Sequence, residues 1–282
     1  MLDTIAEKWA VDRVALTDPQ RLHGGEESAA YRLGPHVARI GPEWRTNAEA
    51  EWCHTVALAA AEQVPEAIAP RRTVDGVTVV RCDGRPLSLW PFVEGAWGDK
   101  SDEGQRRQAA ELLARVHMAL RSARTSVSHR PPSTISWDTA DETVDADLDA
   151  WLVDFDGGGW QVQPLHGDFY RGNVLVSSGR IVGLLDWDEA FIGPPERELA
   201  WAAWEWTGDL DLTGVRQFVR QYLDAGGPAR PMDDVMLRQL IRQRLRNDVS
   251  YAAGATGRGT ALDEADREYH ARQIESFWHL RP

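Results

Sequence analysis

Three side chains suited to phosphoryl transfer lie in one short stretch of the chain. Asp168 follows His166-Gly167 in a predicted tight loop, Asn173 comes five residues later, and Asp186 follows the apolar segment IVGLL. Phosphoryl transfer needs a carboxylate that orients the attacking hydroxyl and accepts its proton, together with oxygen ligands for magnesium. These residue types can supply both.

A β-hairpin is predicted to bring two of these side chains together. Residues 173–176, with the apolar run VLV, and the apolar residues 181–185 flank Ser178-Gly179, a pair typical of tight turns. Antiparallel pairing of the two segments would return Asp186 to the end of the hairpin where Asn173 lies. A carboxylate and an amide oxygen would then be presented side by side, as a hard cation requires.

Strand-forming segments precede helical ones along the chain. Residues 1–95 are predicted to form a small sheet with one helix over 46–62, and 95–104 reads as a polar linker. Residues 96–282 are predicted to be mainly helical, apart from the hairpin, with helices at 105–122, 141–155, 195–207, 212–225, 232–253 and 261–280. This order predicts an α+β protein of two unequal lobes with a cleft between them.

The charge balance limits the partners of the protein. A net charge of −13 over 282 residues argues against a nucleic-acid partner, which needs a basic surface. It suits a cationic substrate, although acidity that only maintains solubility is the alternative. No apolar run approaches the roughly 20 residues of a membrane span. The N-terminus lacks a signal-peptide pattern, and two isolated cysteines suggest reduced thiols. We therefore expect a cytoplasmic protein without a membrane partner.

Four segments resemble one family. HGDFYRGNVLV resembles the H-G-D-x-x-x-x-N catalytic loop of the aminoglycoside phosphotransferase / choline kinase family, a branch of the protein-kinase-like fold. GLLDWDEA resembles its I-I-D-W-D/E segment. GPPERELA resembles its G-x-P-x-x-D-L-A continuation, with Glu198 where an Asp is usual, and ELLARVHMAL resembles a helix that ends in Leu-His. The resemblance covers about residues 20–207 with the motifs in the family's order.

The resemblance implies a bilobal kinase-like fold and transfer of a γ-phosphate from ATP, with GTP not excluded, in the presence of Mg2+. It implies that Asp168 is the catalytic base and that Asn173 and Asp186 are magnesium ligands. His166 would support the loop through hydrogen bonds to the backbone. Asp188 would orient the substrate or serve structure alone.

The lysine that grips the nucleotide phosphates in kinases has no counterpart here. Lys8 and Lys100 are the only lysines, and both lie outside the predicted sheet. By position, Arg39 in HVARI replaces that lysine, and a guanidinium can hold phosphate oxygens in pairs. Glu49 is the expected partner of Arg39, with Glu51 as the alternative.

Two more segments resemble nucleotide-binding parts of the family. GGEES would cover the phosphates, with Ser28 as a donor, although a plain hairpin is the alternative. LWPFVEG resembles the hinge between the lobes. Because Pro91 has no N–H, Phe92 or Val93 would supply any donor to the purine.

The acceptor is predicted from acidic residues beside the motifs. Glu205 and Asp209 stand among three tryptophans in and beside WEWTGDLD, and 138–156 is rich in carboxylates. Carboxylates and tryptophan faces both attract ammonium groups. This favours a hydroxylated, amine-bearing substrate, such as an aminoglycoside or a basic peptide antibiotic, and a role in antibiotic resistance. A metabolic kinase of the choline, homoserine or sugar type is the alternative, as are solvated acids and buried tryptophans.

Two other functional classes remain open at this point. His166, Asp168, Asp186 and Asp188 could instead build a metal-dependent hydrolase. A nucleotide-binding protein without turnover would also carry these motifs, but degenerate kinases commonly lose one of the three key residues, and all three are present. The sequence does not predict which hydroxyl is phosphorylated or the oligomeric state.

Overall fold

The computed structural model describes residues 1–16, 18–22, 28–123, 130–131, 138–208, 210–257 and 263–282. Over these residues the protein is α+β, as predicted, with the largest sheet in the N-terminal part and most helices in the C-terminal part. The predicted division into lobes at residues 95 and 96 stays a prediction.

An antiparallel sheet of five strands forms the N-terminal part, in the order β1-β2-β3-β5-β4. Its strands are β1 (Gln20–Arg21), β2 (Ala29–Leu33), β3 (His36–Ile40), β4 (Val79–Cys82) and β5 (Arg85–Pro91). A two-residue turn joins β4 to β5. Asp83 and Gly84 both adopt positive φ, which matches the right-handed twist of a hairpin.

Two helices accompany this sheet where one was predicted. The unpredicted helix α1 (Leu2–Trp9) buries Ile5 and Trp9 against apolar residues of the sheet. The Trp9 indole N–H donates to the Arg71 carbonyl at 2.9 Å. A helix of two turns is marginal in isolation, so these contacts with the sheet stabilise it.

Helix α2 (Asn47–Ala61) begins with a capping box. The Thr46 hydroxyl accepts from the Glu49 N–H, and the Glu49 carboxylate accepts from the Thr46 N–H at 3.1 Å. Such reciprocal bonds satisfy donors that a helix start leaves unpaired. The observed helix lies within the predicted span of 46–62.

Two small sheets position the predicted motifs. Strands β6 (Ala96–Trp97), β8 (Val174–Ser177) and β9 (Arg180–Leu184) form one sheet, and β7 (Gln163–Leu165) pairs with β10 (Phe191–Gly193). The predicted hairpin is confirmed in β8 and β9, with Ser178 and Gly179 at positive φ in the turn. Strand β6 lies inside the predicted 95–104 linker, so part of this segment is hydrogen-bonded to β8.

The C-terminal part is helical, close to the predicted spans. Its helices are α3 (Glu103–Ser122), α4 (Ala146–Asp156), α5 (Pro195–Thr207), α6 (Thr213–Asp224), α7 (Asp234–Gly257) and α8 (Glu264–His279). The helix predicted from residue 141 begins with a separate 3-10 turn at Asp141–Thr143. In the described part of the chain, no helix combines the length and apolar character of a membrane span.

The two parts share a core and a backbone connection. Helix α2 contributes Trp52 and Val56 to the same apolar cluster as Leu113 of α3. Next to it, the Leu184 N–H donates to the Glu66 carbonyl at 2.6 Å. The end of the motif hairpin is therefore attached directly to the N-terminal part.

Candidate active site

The loop that carries Asp168 is shaped by a glycine. Gly167 has φ of +89°, and a Cβ at this position would collide with the Glu189 carbonyl. Only glycine accommodates both the left-handed backbone and this close approach. Asp168 is therefore held immediately after a sharp change in chain direction.

A buried glutamate fixes the same loop from helix α5. Glu198 accepts from the N–H groups of Gly167 at 2.5 Å and His166 at 3.1 Å, and from His117 Nε2 at 2.9 Å. Burial opposes ionisation of Glu198, but the hydrogen bond and charge of His117 lower its pKa overall. The residue that departs from the family's usual Asp thus connects α3, α5 and the loop.

His166 supports the loop through backbone contacts, as the resemblance implies. Its Nε2 donates to the Leu185 carbonyl at 2.8 Å, and its Nδ1 accepts from the Asp168 N–H at 3.2 Å. These partners assign the proton to Nε2. The ring is fully buried, and burial lowers its pKa.

The structure brings Asp168, Asn173 and Asp186 together. The Asn173 amide donates to the Asp168 carbonyl at 2.9 Å and to Oδ2 of its carboxylate at 2.8 Å. The Leu185 N–H donates to the Asn173 carbonyl at 2.8 Å, so Asp186 follows directly at the same end of the hairpin. Asp186 itself has φ of 58°, a conformation that asparagine and aspartate tolerate better than most residues.

Arg39 reaches this cluster from the N-terminal sheet. Its Nη2 lies 2.8 Å from Asp186 Oδ1 and 2.9 Å from Asp188 Oδ2. Arg45, which the sequence reading missed, lies 2.7 Å from the other Asp188 oxygen through its Nη1. Two arginines of the N-terminal part therefore face two carboxylates of the segment after the hairpin.

The predicted pairing of Arg39 with Glu49 is wrong in this structure, and so is the alternative with Glu51. The Glu49 carboxylate is engaged by Thr46 in the capping box, and Glu49 is 2% exposed. Glu51 accepts from the Thr78 and Val79 N–H groups at 2.7 and 2.9 Å. Both glutamates stabilise their own surroundings, which leaves Arg39 to pair with aspartates.

The predicted hinge has one amide already occupied. The Phe92 N–H donates to the Pro35 carbonyl at 2.9 Å, and the Arg32 guanidinium lies 3.8 Å from the centre of the Phe92 ring. Val93, by contrast, packs against the main core. The Phe92 N–H is therefore occupied by Pro35, which leaves the Val93 N–H as the predicted donor to the purine.

In the segment predicted to cover the phosphates, Ser28 lies directly before β2, and Gly24 and Gly25 lie outside the described residues.

The predicted acceptor residues have mixed outcomes. Burial raises the pKa of Glu205, near the end of α5, to about 7, and the charge of Asp248 adds to the rise. Trp201, Trp204 and Trp206 are buried in the core, so the expected open tryptophan face is wrong. Asp209 lies outside the described residues.

Two carboxylates of the acidic stretch 138–156 are engaged in ion pairs with helix α7. Its Asp145 is buried in an ion pair with Arg242, and its Asp149 pairs with Arg246. Both arginines belong to α7. These two carboxylates therefore hold the start of α4 against α7 and are not available to bind a ligand.

An arginine that the sequence reading did not select lies against Asp168. Arg244 of α7 places Nη2 3.2 Å from Asp168 Oδ1 and donates from Nη1 to the Gly167 carbonyl at 2.7 Å. Burial raises the pKa of Asp168 to about 7, Arg244 opposes the rise, and the charges of Asp186 and Asp248 reinforce it.

Comparison with known proteins places this site in a family. Residues 18–232 match the phosphotransferase enzyme family, which is well over half of the chain. The chain belongs to this family. The matched range contains Arg39, Asp168, Asn173 and Asp186, and it ends before α7 begins.

Curated relatives in this phosphotransferase family act on different small molecules. The chain is 30% identical over 190 residues to a homoserine kinase of Bradyrhizobium sp. (strain ORS 278), covering 61% of this chain and 57% of the relative. It is 31% identical over 169 residues to a hygromycin-B 4-O-kinase of Escherichia coli, covering 52% of this chain and 47% of the relative. The chain thus spans about half the length of these relatives.

A solved structure confirms the fold. An amicoumacin kinase in complex with AMP-PNP and Ca2+ superposes with a TM-score of 0.66 at 13% identity, covering 100% of this chain and 94% of that one. At this identity the likeness concerns the fold. The predicted protein-kinase-like fold is confirmed.

Proposed function

We propose that this protein is a magnesium- and nucleotide-dependent kinase that phosphorylates a hydroxyl of a small molecule. The observation that supports this best is the convergence of Asp168, Asn173 and Asp186, with Arg39 of the opposite part at 2.8 Å from Asp186. Phosphoryl transfer needs a base, ligands for a metal cation and a cationic side chain that binds the phosphates.

In the proposed reaction, the acceptor oxygen attacks the γ-phosphorus of ATP, and the bond from this phosphorus to the bridging oxygen breaks. ADP leaves with that electron pair, and the hydroxyl proton passes to Asp168. The Asp168 side chain is 26% exposed, so it is open to an acceptor while its orientation is fixed by neighbours. Arg39 would bind phosphate oxygens, and Ser28 and the Val93 backbone would contact the nucleotide.

Asn173 and Asp186 fit a magnesium site. The Asn173 amide nitrogen faces Asp168, so its oxygen is the end available to a cation. Across the described ranges, no cluster of three or more His, Cys, Asp or Glu side chains could hold a metal on its own. Magnesium tolerates such sites because it completes its shell with substrate phosphates and water. Bound there, it would neutralise charge on the phosphates.

His166 weakens the competing hydrolase hypothesis. The hydrolase hypothesis includes His166 among its metal ligands, and imidazole is a common ligand of catalytic zinc. Both ring nitrogens of His166 are already bonded to the backbone, at Leu185 and Asp168. The arrangement therefore favours the kinase.

For the acceptor we propose an amine-bearing, hydroxylated small molecule. The charge of Asp248 raises the pKa of both Asp168 and Glu205, so these three carboxyl groups act on one another electrostatically next to the proposed base. An acidic recess attracts ammonium groups. Cationic antibiotics are the first candidates. The likeness to a homoserine kinase supports an amino-acid or amino-alcohol acceptor as the second.

The decisive experiment compares Asp168→Asn with the parent protein. Removing the base while keeping its shape should lower kcat by about 100- to 10,000-fold, with KM for ATP changed by a small factor. Asp224→Asn, at an exposed position at the end of α6, serves as a matched control and should keep parent activity. Near-normal turnover by Asp168→Asn would refute the proposed base.

Two further measurements test the metal and the acceptor. Asp186→Ala should abolish the magnesium dependence of nucleotide binding in calorimetric titrations with and without the metal. An acceptor panel of aminoglycosides, amino alcohols, homoserine and neutral sugars, read as release of ADP, tests the substrate class. Turnover confined to neutral sugars would contradict the amine-bearing acceptor.

A further inference from the structure

The contacts of Arg244 leave its guanidinium little freedom. Besides Gly167 and Asp168, it donates from Nε to Asp248 Oδ1 at 2.8 Å, one turn further along α7. Its central carbon lies 5.2 Å from the centre of the Trp201 ring. A planar guanidinium that is bound along both edges and lies over an indole has a defined orientation.

This arrangement holds the Asp168 carboxylate at both oxygens. Arg244 Nη2 contacts Oδ1 at 3.2 Å, and Asn173 Nδ2 donates to Oδ2 at 2.8 Å. Since Arg244 also binds the Gly167 carbonyl, it fixes the backbone on one side of Asp168 as well. The side chain therefore has one favoured rotamer, set by one group from the loop and one from α7.

The support for Arg244 comes from beyond the family match. Asp248 accepts from the Arg244 Nε through one carboxylate oxygen, and Gln273 of α8 donates to the other Asp248 oxygen at 3.5 Å. Arg244, Asp248 and Gln273 all lie after residue 232, where the match ends. The orientation of Asp168 thus depends on the two C-terminal helices of this chain.

We infer that Arg244 is a positioning residue: it holds the Asp168 carboxylate and the Gly167 carbonyl so that Asp168 faces the acceptor hydroxyl. The expected effect on kcat rests on the proposed kinase function, whereas the contacts of Arg244 with Asp168 and Gly167 do not depend on it. An alternative role for Arg244 is to bind an anionic group of the acceptor. The two roles predict different kinetic changes, because a positioning group acts on kcat and a binding group acts mainly on KM.

The kinetic test uses Arg244→Ala in the full chain, with ATP, magnesium and the best acceptor of the panel. Misplacement of a reacting group by about 1 Å costs on the order of 100-fold in rate, so we expect kcat to fall about 10- to 100-fold. Both KM values should stay within about threefold of the parent. Methylguanidinium added to Arg244→Ala should restore kcat about tenfold or more, because it can occupy the same contacts.

Arg216→Ala is the matched control. Arg216 binds Asp234 of α7 through two nitrogens, but the pair is exposed and on the surface. Its loss tests whether any weakening of the attachment of α7 lowers activity, and we expect parent kcat and no response to methylguanidinium. An equal loss of kcat in the control, or unrescued activity in Arg244→Ala, would overturn positioning in favour of a structural role. A rise of KM for the acceptor with unchanged kcat would overturn it in favour of acceptor binding.

A second measurement does not depend on turnover. Crystal structures of the parent and Arg244→Ala should differ at Asp168, whose carboxylate should rotate away from Asn173 or occupy several rotamers. An unchanged Asp168 would refute the inference whether or not the protein is a kinase. If Asp168 rotates in Arg244→Ala while the parent phosphorylates nothing in the panel, the result would support positioning and count only against the proposed function.

Discussion

Replacing Glu198 with Gln should weaken the whole motif region, and the structure sets the size of the effect. The carboxylate accepts from Gly167, His166 and His117, and it is 3% exposed. Glutamine has one acceptor oxygen, so its amide must face at least one of these donors. A buried donor without an acceptor costs about 1–3 kcal/mol, and a bond to a charged group contributes about 1.5–3 kcal/mol. We therefore expect Glu198→Gln to lose about 2–4 kcal/mol of unfolding free energy.

Urea unfolding followed by tryptophan fluorescence measures this loss, and Glu196→Gln provides the matched control. Glu196 lies on the same helix and is 2% exposed, with Oε1 accepting from the Arg230 N–H at 2.8 Å. Its Oε2 has no hydrogen-bond partner within the part of the chain that the structure describes, so an amide can replace it at a cost below about 1 kcal/mol. Equal losses in the two variants would refute the reasoning from the three donors.

Three other predictions follow from partly or fully buried polar groups. Because the pKa of Glu205 in the folded state, about 7, exceeds its ordinary 4.5, its ionisation costs stability as pH rises through this window. Glu205→Gln should therefore raise Tm at about pH 8 and change it little at about pH 4.5; an equal shift at both contradicts this. Thr46→Ala should cost about 1 kcal/mol in urea unfolding through the lost capping box, with KM for ATP unchanged, whereas a raised KM would restore Glu49 to the nucleotide site. Arg242→Leu should cost about 3–5 kcal/mol because it leaves Asp145 charged and buried, and adding Asp145→Asn should recover part of this loss.

The hairpin that carries the proposed metal ligands was predictable because its determinants are local. Apolar runs on either side of Ser178-Gly179 specify both the turn and the register, so the meeting of Asn173 and Asp186 follows from neighbours in sequence. The helices of the C-terminal part were predictable for the same reason, since their apolar periodicity is continuous. The N-terminal α1 was not, because two turns of helix depend on the sheet that buries them.

The partner of Arg39 was predicted wrongly although a usable local signal existed. Thr46 with Glu49 three residues later is the sequence signature of a capping box, and it assigns the carboxylate to the helix start. The analogy with kinases instead assigned Glu49 to a cation. The aspartates that do pair with Arg39 lie about 150 residues away, so their proximity depends on how the two parts of the protein pack.

Arg244 shows the opposite case, in which the local pattern suggests a misleading answer. Arg244 and Asp248 are spaced i, i+4, which ordinarily indicates a surface pair worth a few tenths of a kcal/mol. Helix α7 contains further arginines, of which Arg242 and Arg246 are buried against Asp145 and Asp149, and nothing in their spacing distinguishes the three roles. The role of Arg244 is decided by the packing of α7 on α5, which places Trp201 beneath the guanidinium and Asp168 at its edge. The orientation of Asp168 thus depends on helix α7, although the sequence of α7 does not indicate which of its arginines contacts Asp168.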